Sequence, residues 1–409
     1  MTHTLHTHYK SENFDNDDFR VYLTRDLTWT ERNHPSERIP FKPEGAWAEG
    51  NCEYDPVFMK RLAVATNSSK WSKDPGVMWG ELFNNHQFLL EHFRKGELEQ
   101  AHDCLNLMYQ GKLMDGITQG AWLFDILNRV PEAKDMVLMR HWDVFLGVME
   151  YLGVMGPQNH EQGASFLAVP INKLLENTPP ELVAPRWQGG LWGLNTSKGV
   201  FGERDLMAFY IALKIREKYP KDSRILEIGG GAGYVAYWLY QFGYRNIFMV
   251  DIPSIAACQA YQLAANIGAE HISLANELHD APIKFIAPEL LPHRVDKFNL
   301  VVNCDSMPEM DSDSLHTYLK FISNNALNFY SINQEARSAL AGLTSADTST
   351  PELLEQFQRT SHAQQQPVIR SIIKKHYTGE ITRVDRSKFW LRDGYAEEWY
   401  YTKLLLSGE

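Results

Sequence analysis

The stretch LEIGGGAGYVAYWL, from Leu226 to Leu239, places four glycines within the five positions from Gly229 to Gly233. An apolar run typical of a β-strand precedes the glycines, and an apolar run typical of a helix follows them. A glycine turn between a strand and a helix of a parallel sheet lies at the carboxyl ends of the strands, where such sheets bind their ligands. This stretch therefore predicts both the fold class and the position of a binding site.

Outward from this turn, strand-like and helix-like segments alternate along the second half of the chain. Strands separated by helices predict right-handed crossovers and a mostly parallel sheet with helices on both faces. The last two strand-like segments are joined without a helical pattern, so we expect the sheet to end in an antiparallel hairpin. The predicted strands are 224–228, 246–251, 283–287, 298–303, 327–332, 381–385 and 397–406, and the predicted helices are 205–219, 234–242, 254–268 and about 312–324.

The first 200 residues have a different character, mainly helical after a polar lead. Apolar residues recur at helical spacing in 79–93, 98–108 and 142–149. We therefore predict a mainly helical domain at 1–200, serving substrate binding, a lid or oligomerisation, and a ligand-binding domain at 201–409. Oligomerisation through this helical part could take the form of a homodimer.

Two further segments interrupt the regular pattern of helices and strands. Five glycines and two tryptophans lie between Pro185 and Asp205, which is why the domain boundary is placed there. Trp187 and Trp192 could stack on the apolar face of a sugar ring, although core positions are commoner for tryptophan. The polar stretch 344–367, before the hairpin, predicts a surface insertion.

Composition excludes several classes of protein. The net charge of −11 and the lack of a basic block argue against a protein that binds nucleic acid through its phosphates. The sequence has neither an apolar run of membrane-spanning length nor a signal-peptide core, so we expect a cytoplasmic protein with no membrane partner. The cysteines show no CxxC spacing, which predicts reduced thiols; they are Cys52, Cys104, Cys258 and Cys304.

The charge around the glycine turn separates two classes of cofactor. Gly231, Gly233 and Ala236 fit the GxGxxA fingerprint of dinucleotide sites, with Asp251 near the spacing expected for a ribose contact. Glu227, two residues before the first glycine, would repel a pyrophosphate seated on the N-terminus of the following helix. S-adenosylmethionine (SAM) carries an amino group and a sulfonium centre but no phosphate, so this carboxylate favours SAM over NAD.

The pattern E-x-G-x-G-x-G, from Glu227 to Gly233, resembles the first signature of the class I SAM-dependent methyltransferases. The resemblance implies a Rossmann-like methyltransferase domain in which Asp251 binds both ribose hydroxyls and Glu289 contacts the adenine. The cofactor-binding residues expected on this basis are Glu227, Gly229, Gly231, Gly233, Asp251, Ile252, Glu289 and Asn303. Structural roles are the alternative, because glycines permit tight packing and Asp251 could cap the next helix.

Three later segments narrow the resemblance: NCDSMPEM at 303–310, SINQE at 331–335 and FWLRDGYAEEWYY at 389–401. Together with EIGGGAG and VDIP, they resemble a bacterial group of sugar O-methyltransferases over about residues 201–403. The group implies methyl transfer from SAM to a hydroxyl of a sugar or a sugar-containing natural product, with a small molecule or glycan as acceptor. A SAM-binding partner protein without turnover, and an NAD-dependent oxidoreductase acting on nucleotide sugars, stay open as alternatives.

A methyltransferase of this kind needs a base, because a neutral sugar hydroxyl is a poor nucleophile. NCDSMPEM follows the fourth strand, so Asp305 and Glu309 are the candidates near the reacting methyl group. We prefer Glu309 because the proline before it fixes the loop, and His160 in GPQNHEQG is a candidate from the first domain. Asp305, Asp311 and Asp313 could ligate Mg²⁺, but their spacing is not diagnostic and no metal is predicted.

Overall fold

The structure of the chain is a computed structural model. It describes residues 43–70, 77–154, 171–334, 373, 377, 379–389, 391 and 395–402. Two expectations from the sequence fall outside these residues, namely the candidate base His160 and the polar insertion 344–367.

The N-terminal half is mainly helical, as predicted. Its helices are α1 (Pro56–Ser68), α2 (Val77–Lys95), α3 (Leu98–Asn106), α4 (Ala121–Arg129), α5 (Pro131–Tyr151) and α6 (Ile171–Leu175). A small antiparallel sheet accompanies them, formed by β1 (Gly45–Trp47), β2 (Trp192–Thr196) and β3 (Gly199–Phe201). The glycine-rich segment is therefore extended rather than helical. None of the described helices is long and apolar enough to cross a membrane.

The C-terminal half alternates between strands and helices. Its helices are α7 (Glu203–Lys218), α8 (Tyr234–Gln241), α9 (Pro253–Ile267) and α10 (Ser312–Asn325). Its strands are β4 (Ile225–Ile228), β5 (Ile247–Val250), β6 (Ile272–Ser273), β7 (Ile283–Ile286), β8 (Phe298–Cys304), β9 (Ala326–Gln334), β10 (Ile381–Lys388) and β11 (Tyr395–Thr402). Each strand predicted for this half is observed, and β6 is an additional short strand.

Eight strands form one sheet in the order β10-β11-β9-β8-β4-β5-β7-β6. The strands from β4 to β9 pair in parallel, whereas β11 is antiparallel to both of its neighbours, β9 and β10. A mostly parallel sheet that ends in an antiparallel hairpin confirms the predicted α/β fold class.

The sheet has a natural binding crevice at its centre. β5 and β7 lie on one side of β4, and β8 and β9 lie on the other. The chain therefore leaves β4 in one direction and later returns to its opposite edge. Such a reversal of strand order creates a topological switch point, and open α/β sheets bind ligands there, beyond the carboxyl ends of the strands.

Alternation of side chains along β4 separates the two faces of the sheet. Leu226 and Ile228 join an apolar core that α10 covers, whereas Ile225 joins a larger core on the opposite face. That larger core also contains Phe209 of α7 and Trp142 of α5. One continuous core therefore connects the N-terminal helices with the sheet, and the division into two domains at residue 200, which falls within β3, stays a prediction.

An ion pair also joins the two halves. Arg61 of α1 donates to both carboxylate oxygens of Glu277, with Nε to Oε1 at 2.6 Å and Nη2 to Oε2 at 2.8 Å. The same guanidinium donates to the carbonyl oxygens of Ala269 and Ile272, next to β6. Planar two-point contacts of this kind are the stronger form of salt bridge, so they hold α1 against the edge of the sheet.

Candidate active site

A cavity of about 200 Å³ opens at the switch point, beyond the carboxyl ends of β4, β5 and β8. The glycine turn after β4 forms one wall, and α7, the segment after β8 and the N-terminal half form the others. Its lining includes Gly116, Ile117, Arg204, Met207, Ala208, Glu227, Gly229, Gly231, Tyr234, Asp251, Ile252, Cys304, Asp305, Ser306, Glu309, Asp311, Ser314 and Tyr318.

The glycine turn has a backbone that other residues adopt with difficulty. The φ angles of Gly229, Gly231 and Gly233 are 69°, 58° and 79°, in the left-handed region. A Cβ atom on Gly229 would collide with Ser306, and one on Gly231 would lie 3.1 Å from Cγ2 of Ile117. The turn is therefore held closely between the segment after β8 and the N-terminal half, and substitution of its glycines would strain it.

Glu227 is buried directly beneath this turn. The residue is 2% exposed, and a Cβ atom on Gly230 would lie 2.8 Å from its carboxyl carbon. The backbone N–H of Ala236, in the first turn of α8, lies near enough to this carboxylate to favour its ionised form. Oε2 has no hydrogen-bond partner among the described residues. Burial, and next the charge of Asp251, raise the pKa of Glu227 to about 8, so a donor or cation in the cavity would stabilise its ionised form.

Asp251 is held at the rim of the cavity between β5 and α9. Its Oδ1 accepts from the backbone N–H of Ile252 at 2.9 Å, and its Oδ2 accepts from Nε2 of Gln259 at 2.7 Å. The backbone N–H of Gly231 also favours the ionised form of this carboxylate, so Asp251 lies close to the glycine turn. Burial raises the pKa of Asp251 to about 7. Ile252, the next residue, lines the cavity, as its predicted role requires.

Asn303 lies behind the glycine turn and is fully buried. Its Nδ2 donates to the carbonyl oxygen of Ile228 at 2.8 Å and to Oγ of Ser306. Ser306 in turn lines the cavity beside Gly229. Asn303 therefore supports the residues that form the wall, and its contact with a cofactor stays a prediction.

Glu289 connects the loop after β7 to the N-terminal half. Its carboxylate accepts from Oγ of Ser69 at 3.0 Å and from the backbone N–H of Lys70 at 2.6 Å. It does not belong to the residues that line the cavity. Tyr318 of α10 does line it, and burial, and next the charge of Asp251, raise the pKa of this phenol. The predicted contact of Glu289 with adenine stays a prediction.

Asp305 follows β8 with an unusual backbone, at a φ angle of 58°. Its Oδ2 accepts from Nη1 of Arg204 at 3.0 Å and from the hydroxyl of Tyr395 at 2.6 Å. Its backbone N–H donates to the carbonyl oxygen of Ile332 at 2.8 Å. Left-handed residues other than glycine cluster at functional sites. Because one carboxylate oxygen already accepts two hydrogen bonds, Asp305 is better placed to orient its neighbours than to take a proton.

Glu309 ends a short 3₁₀ turn, Met307–Glu309, at the cavity wall. Pro308 is buried within this turn, and its role in fixing the loop stays a prediction. Glu309 itself is half-buried and belongs to the residues that line the cavity. The structure thus brings Glu309 and Asp305 to the same wall.

The aspartates considered as Mg²⁺ ligands have separate positions. Oδ1 of Asp311 accepts from the backbone N–H groups of Asp313 and Ser314 at 3.0 and 2.9 Å, which caps α10. Asp313 is exposed, and Asp305 is bound to Arg204. Across the described ranges, no group of three or more His, Cys, Asp or Glu side chains is arranged to hold a metal ion.

Arg204, Ile117 and Tyr318 line the cavity although they were not predicted to do so. Arg204 could have been found from helical spacing, because it shares one face of α7 with Met207 and Ala208, which also line the cavity. Ile117 could not, because only the packing of the N-terminal half against the glycine turn brings it there.

Neither tryptophan of the glycine-rich segment lines this cavity. Trp187 is 1% exposed, packs edge-on against Tyr109 and Tyr234, and donates from Nε1 to the carbonyl oxygen of Val200 at 2.8 Å. Trp192 packs against Trp47 in the N-terminal half instead. Trp187 is thus a core residue with a satisfied indole N–H.

Several solved structures of methyltransferases are similar to part of this chain. A mitomycin 7-O-methyltransferase, MmcR, is 12% identical with a TM-score of 0.32, over 49% of this chain and 57% of that chain. A candidate O-methyltransferase from Nostoc punctiforme PCC 73102 is 14% identical with a TM-score of 0.34, over 47% and 55%. The methyltransferase PaMTH1 from Podospora anserina, bound to S-adenosylhomocysteine (SAH), is 18% identical with a TM-score of 0.33, over 48% and 78%.

The match spans little more than half the length of the first two of these structures. No protein-family model and no curated protein matches the chain. The fold assignment therefore rests on the sheet order, the terminal hairpin and the left-handed glycine turn. The fold is a Rossmann-like α/β fold with a mostly parallel sheet and a terminal antiparallel hairpin.

Proposed function

We propose that this chain is a SAM-dependent O-methyltransferase that acts on a hydroxyl group of a sugar or a sugar-containing natural product. The observation that carries the proposal is the buried carboxylate of Glu227 beneath the glycine turn. Its Oε2 lacks a partner among the described residues, and an acid left in this state favours a ligand with a positive charge.

The charges of the whole cavity support a cationic cofactor. Its described lining contains five carboxylates and one cation, Arg204; the carboxylates are those of Glu227, Asp251, Asp305, Glu309 and Asp311. SAM has two cationic centres and no phosphate, so this lining attracts it. The pyrophosphate of NAD would have to lie beside Glu227 at the N-terminus of α8, where its negative charge would oppose ionisation of the carboxyl group, whereas a cation favours it.

The residues present fit SAM as a bound group. The turn from Gly229 to Gly231 carries no side chains of its own, so the methionine and ribose portions could approach its backbone closely. Asp251, fixed by Ile252 and Gln259, would accept hydrogen bonds from the ribose hydroxyls. Bound SAM would supply an activated methyl group at its sulfonium centre.

In this proposal Glu309 acts as the general base. The acceptor hydroxyl must be aligned with the methyl group and must lose its proton as the oxygen–carbon bond forms. Glu309 lies on the cavity wall in a turn fixed by Pro308, so its carboxylate can take that proton. Asp305 would orient Arg204 rather than take the proton, because its Oδ2 already accepts from Arg204 and Tyr395.

Calorimetric titration separates this proposal from its alternatives. We expect the chain to bind SAM and SAH and not to bind NAD. Tight binding of NAD without binding of SAM would contradict the proposal and favour the oxidoreductase.

The acceptor can be sought with isotope-labelled SAM. Incubation with nucleotide sugars and glycans should transfer a labelled methyl group to one of them, visible as a mass shift. Binding of SAM with no transfer to any sugar-containing acceptor would favour the partner protein without turnover.

A further inference from the structure

Arg204 is the one cation among the described residues that line the cavity. It is the second residue of α7, and its side chain is 25% exposed, so a ligand in the cavity can reach it. Arginine buried among carboxylates in this way is either a structural partner for them or a binding group for an anion. The chemistry of the proposed cofactor distinguishes between the two.

The guanidinium of Arg204 is held in place from two sides. Nη1 donates to Oδ2 of Asp305 at 3.0 Å, and Nε lies 3.9 Å from Oε1 of Glu203. Asp305 in turn accepts from the hydroxyl of Tyr395 at 2.6 Å. A guanidinium has five N–H donors in a rigid plane, so the bond to Asp305 leaves donors that can face a ligand.

We propose that Arg204 binds the α-carboxylate of the methionine portion of SAM, and that Asp305 and Tyr395 position it. This inference rests on the proposed function. The amino group and sulfonium of SAM suit the acidic lining, but the α-carboxylate would be repelled by it unless a cation lies opposite. Arg204 supplies that cation, and its fork matches a carboxylate at two points. The positive end of α7, where Arg204 lies, adds to the attraction.

The first test compares two ligands on the wild-type protein. Decarboxylated SAM keeps the adenosine, sulfonium and amine, and lacks only the carboxylate. We expect it to bind about 10- to 100-fold more weakly than SAM in calorimetric titration, the span of charge-assisted hydrogen bonds. Equal binding of the two ligands would overturn the assignment of Arg204 while leaving the proposed function intact. Binding of neither ligand would instead contradict the proposed function.

The second test changes the protein. Arg204→Gln should weaken SAM about 10- to 100-fold and leave decarboxylated SAM at its wild-type affinity, whereas Arg204→Lys should lose less because it keeps the charge. Arg140→Gln is the matched control, since Arg140 pairs with Glu203 at 3.1 Å and lies outside the cavity. Equal losses for both ligands in Arg204→Gln would show a structural ion pair and refute the proposal. If Arg204→Gln does not fold, the proposal is tested by Arg204→Lys and by the comparison of SAM with decarboxylated SAM on the wild-type protein.

Discussion

The two ends of the cavity are built in different ways. At one end, a short continuous segment from Glu227 to Gly233 supplies the buried acid and the left-handed turn, and Asp251 follows at the end of the next strand. At the other end, Arg204 comes from α7, Asp305 from the segment directly after β8, and Tyr395 from β11. Asp305 is separated from Arg204 by 101 positions and from Tyr395 by 90. A local pattern encodes the first end, whereas only the folded sheet creates the second.

This difference assigns separate tasks to the two ends. The glycine-turn end has the shape and charge to hold the proposed cofactor. The Asp305 end combines Glu309 with a carboxylate that positions Arg204, and it is the end at which we place the acceptor. Variants at the first end should therefore change cofactor affinity. At the second end, a variant of Glu309 should change turnover, whereas variants of Arg204 and Tyr395 should change cofactor affinity through the methionine carboxylate.

The largest effect is expected for Glu309→Gln. The amide keeps the shape of the side chain but cannot take a proton, so turnover should fall by roughly 10² to 10⁴-fold, the usual span for a lost general base. Affinity for SAM should stay at the wild-type value, because Glu309 is placed at the acceptor and not at the glycine turn. Labelled methyl transfer and calorimetry measure the two quantities separately.

The companion variant for that experiment is His160→Ala. Wild-type turnover in Glu309→Gln, together with lost turnover in His160→Ala, would place the base in the N-terminal half. Both ends of the cavity would then have to be assigned again.

The second effect belongs to the glycine-turn end. Asp251→Ala removes the acceptor for the ribose hydroxyls and should weaken SAM by at least about 10- to 100-fold, the loss that corresponds to one charged hydrogen bond of roughly 1.5–3 kcal/mol. Asp251→Asn, which keeps the size of the side chain and one acceptor, should lose less. A folded Asp251→Ala protein with unchanged SAM affinity would refute the ribose contact, and circular dichroism would establish that it is folded.

Much of the fold could be predicted because its signals are local. The strands from β4 to β9 are short apolar runs bounded by helices and turns, and the parallel sheet follows from their alternation. The small antiparallel sheet of β1, β2 and β3 could not be predicted, because β1 pairs with β2, which lies about 145 positions further along the chain. Nothing in the sequence next to Gly45 indicates that partner.

The residues of the candidate site divide in the same way, into those with a local sequence signal and those brought together only by folding. Glu227, Gly229 and Asp251 could be found from spacing because they lie at the carboxyl ends of neighbouring strands. The pairing of Glu289 with Ser69 depends on where α1 packs, over a separation of 220 positions. No propensity or period records such a contact, so the sequence suggested an adenine contact for Glu289 and gave no sign of its bond to the N-terminal half.

The third expected effect is a dependence of SAM affinity on pH. Burial raises the pKa of Glu227 to about 8 and that of Asp251 to about 7, so both carboxyl groups are largely protonated near pH 6. A bound cation stabilises the ionised forms, lowers both pKa values and releases protons. Affinity should therefore rise as the pH rises from about 6 to 8, by about tenfold for each proton released per unit of pH.

Calorimetry in buffers of different ionisation enthalpy would count those protons. Glu227→Gln serves as the control, because it should flatten the rise near pH 8 and leave the part that belongs to Asp251. Affinity that falls with rising pH over this range would contradict a cationic ligand beside these two acids.

The smallest effect is expected for Tyr395→Phe, which tests whether the Asp305 end positions Arg204. The variant removes the 2.6 Å hydrogen bond from the phenol to Asp305 and should lower the free energy of unfolding by about 1–2 kcal/mol. Arg204 would then be held less firmly, so SAM affinity should fall a few-fold.

Tyr400→Phe is a matched control on the same strand, because the Tyr400 hydroxyl donates to Glu398, also at 2.6 Å, and Tyr400 does not line the cavity. Both variants should lose similar stability in urea unfolding, but only Tyr395→Phe should lose affinity for SAM. An equal loss of affinity in both would mean that the hairpin acts on the cavity through stability alone and that Tyr395 has no positioning role.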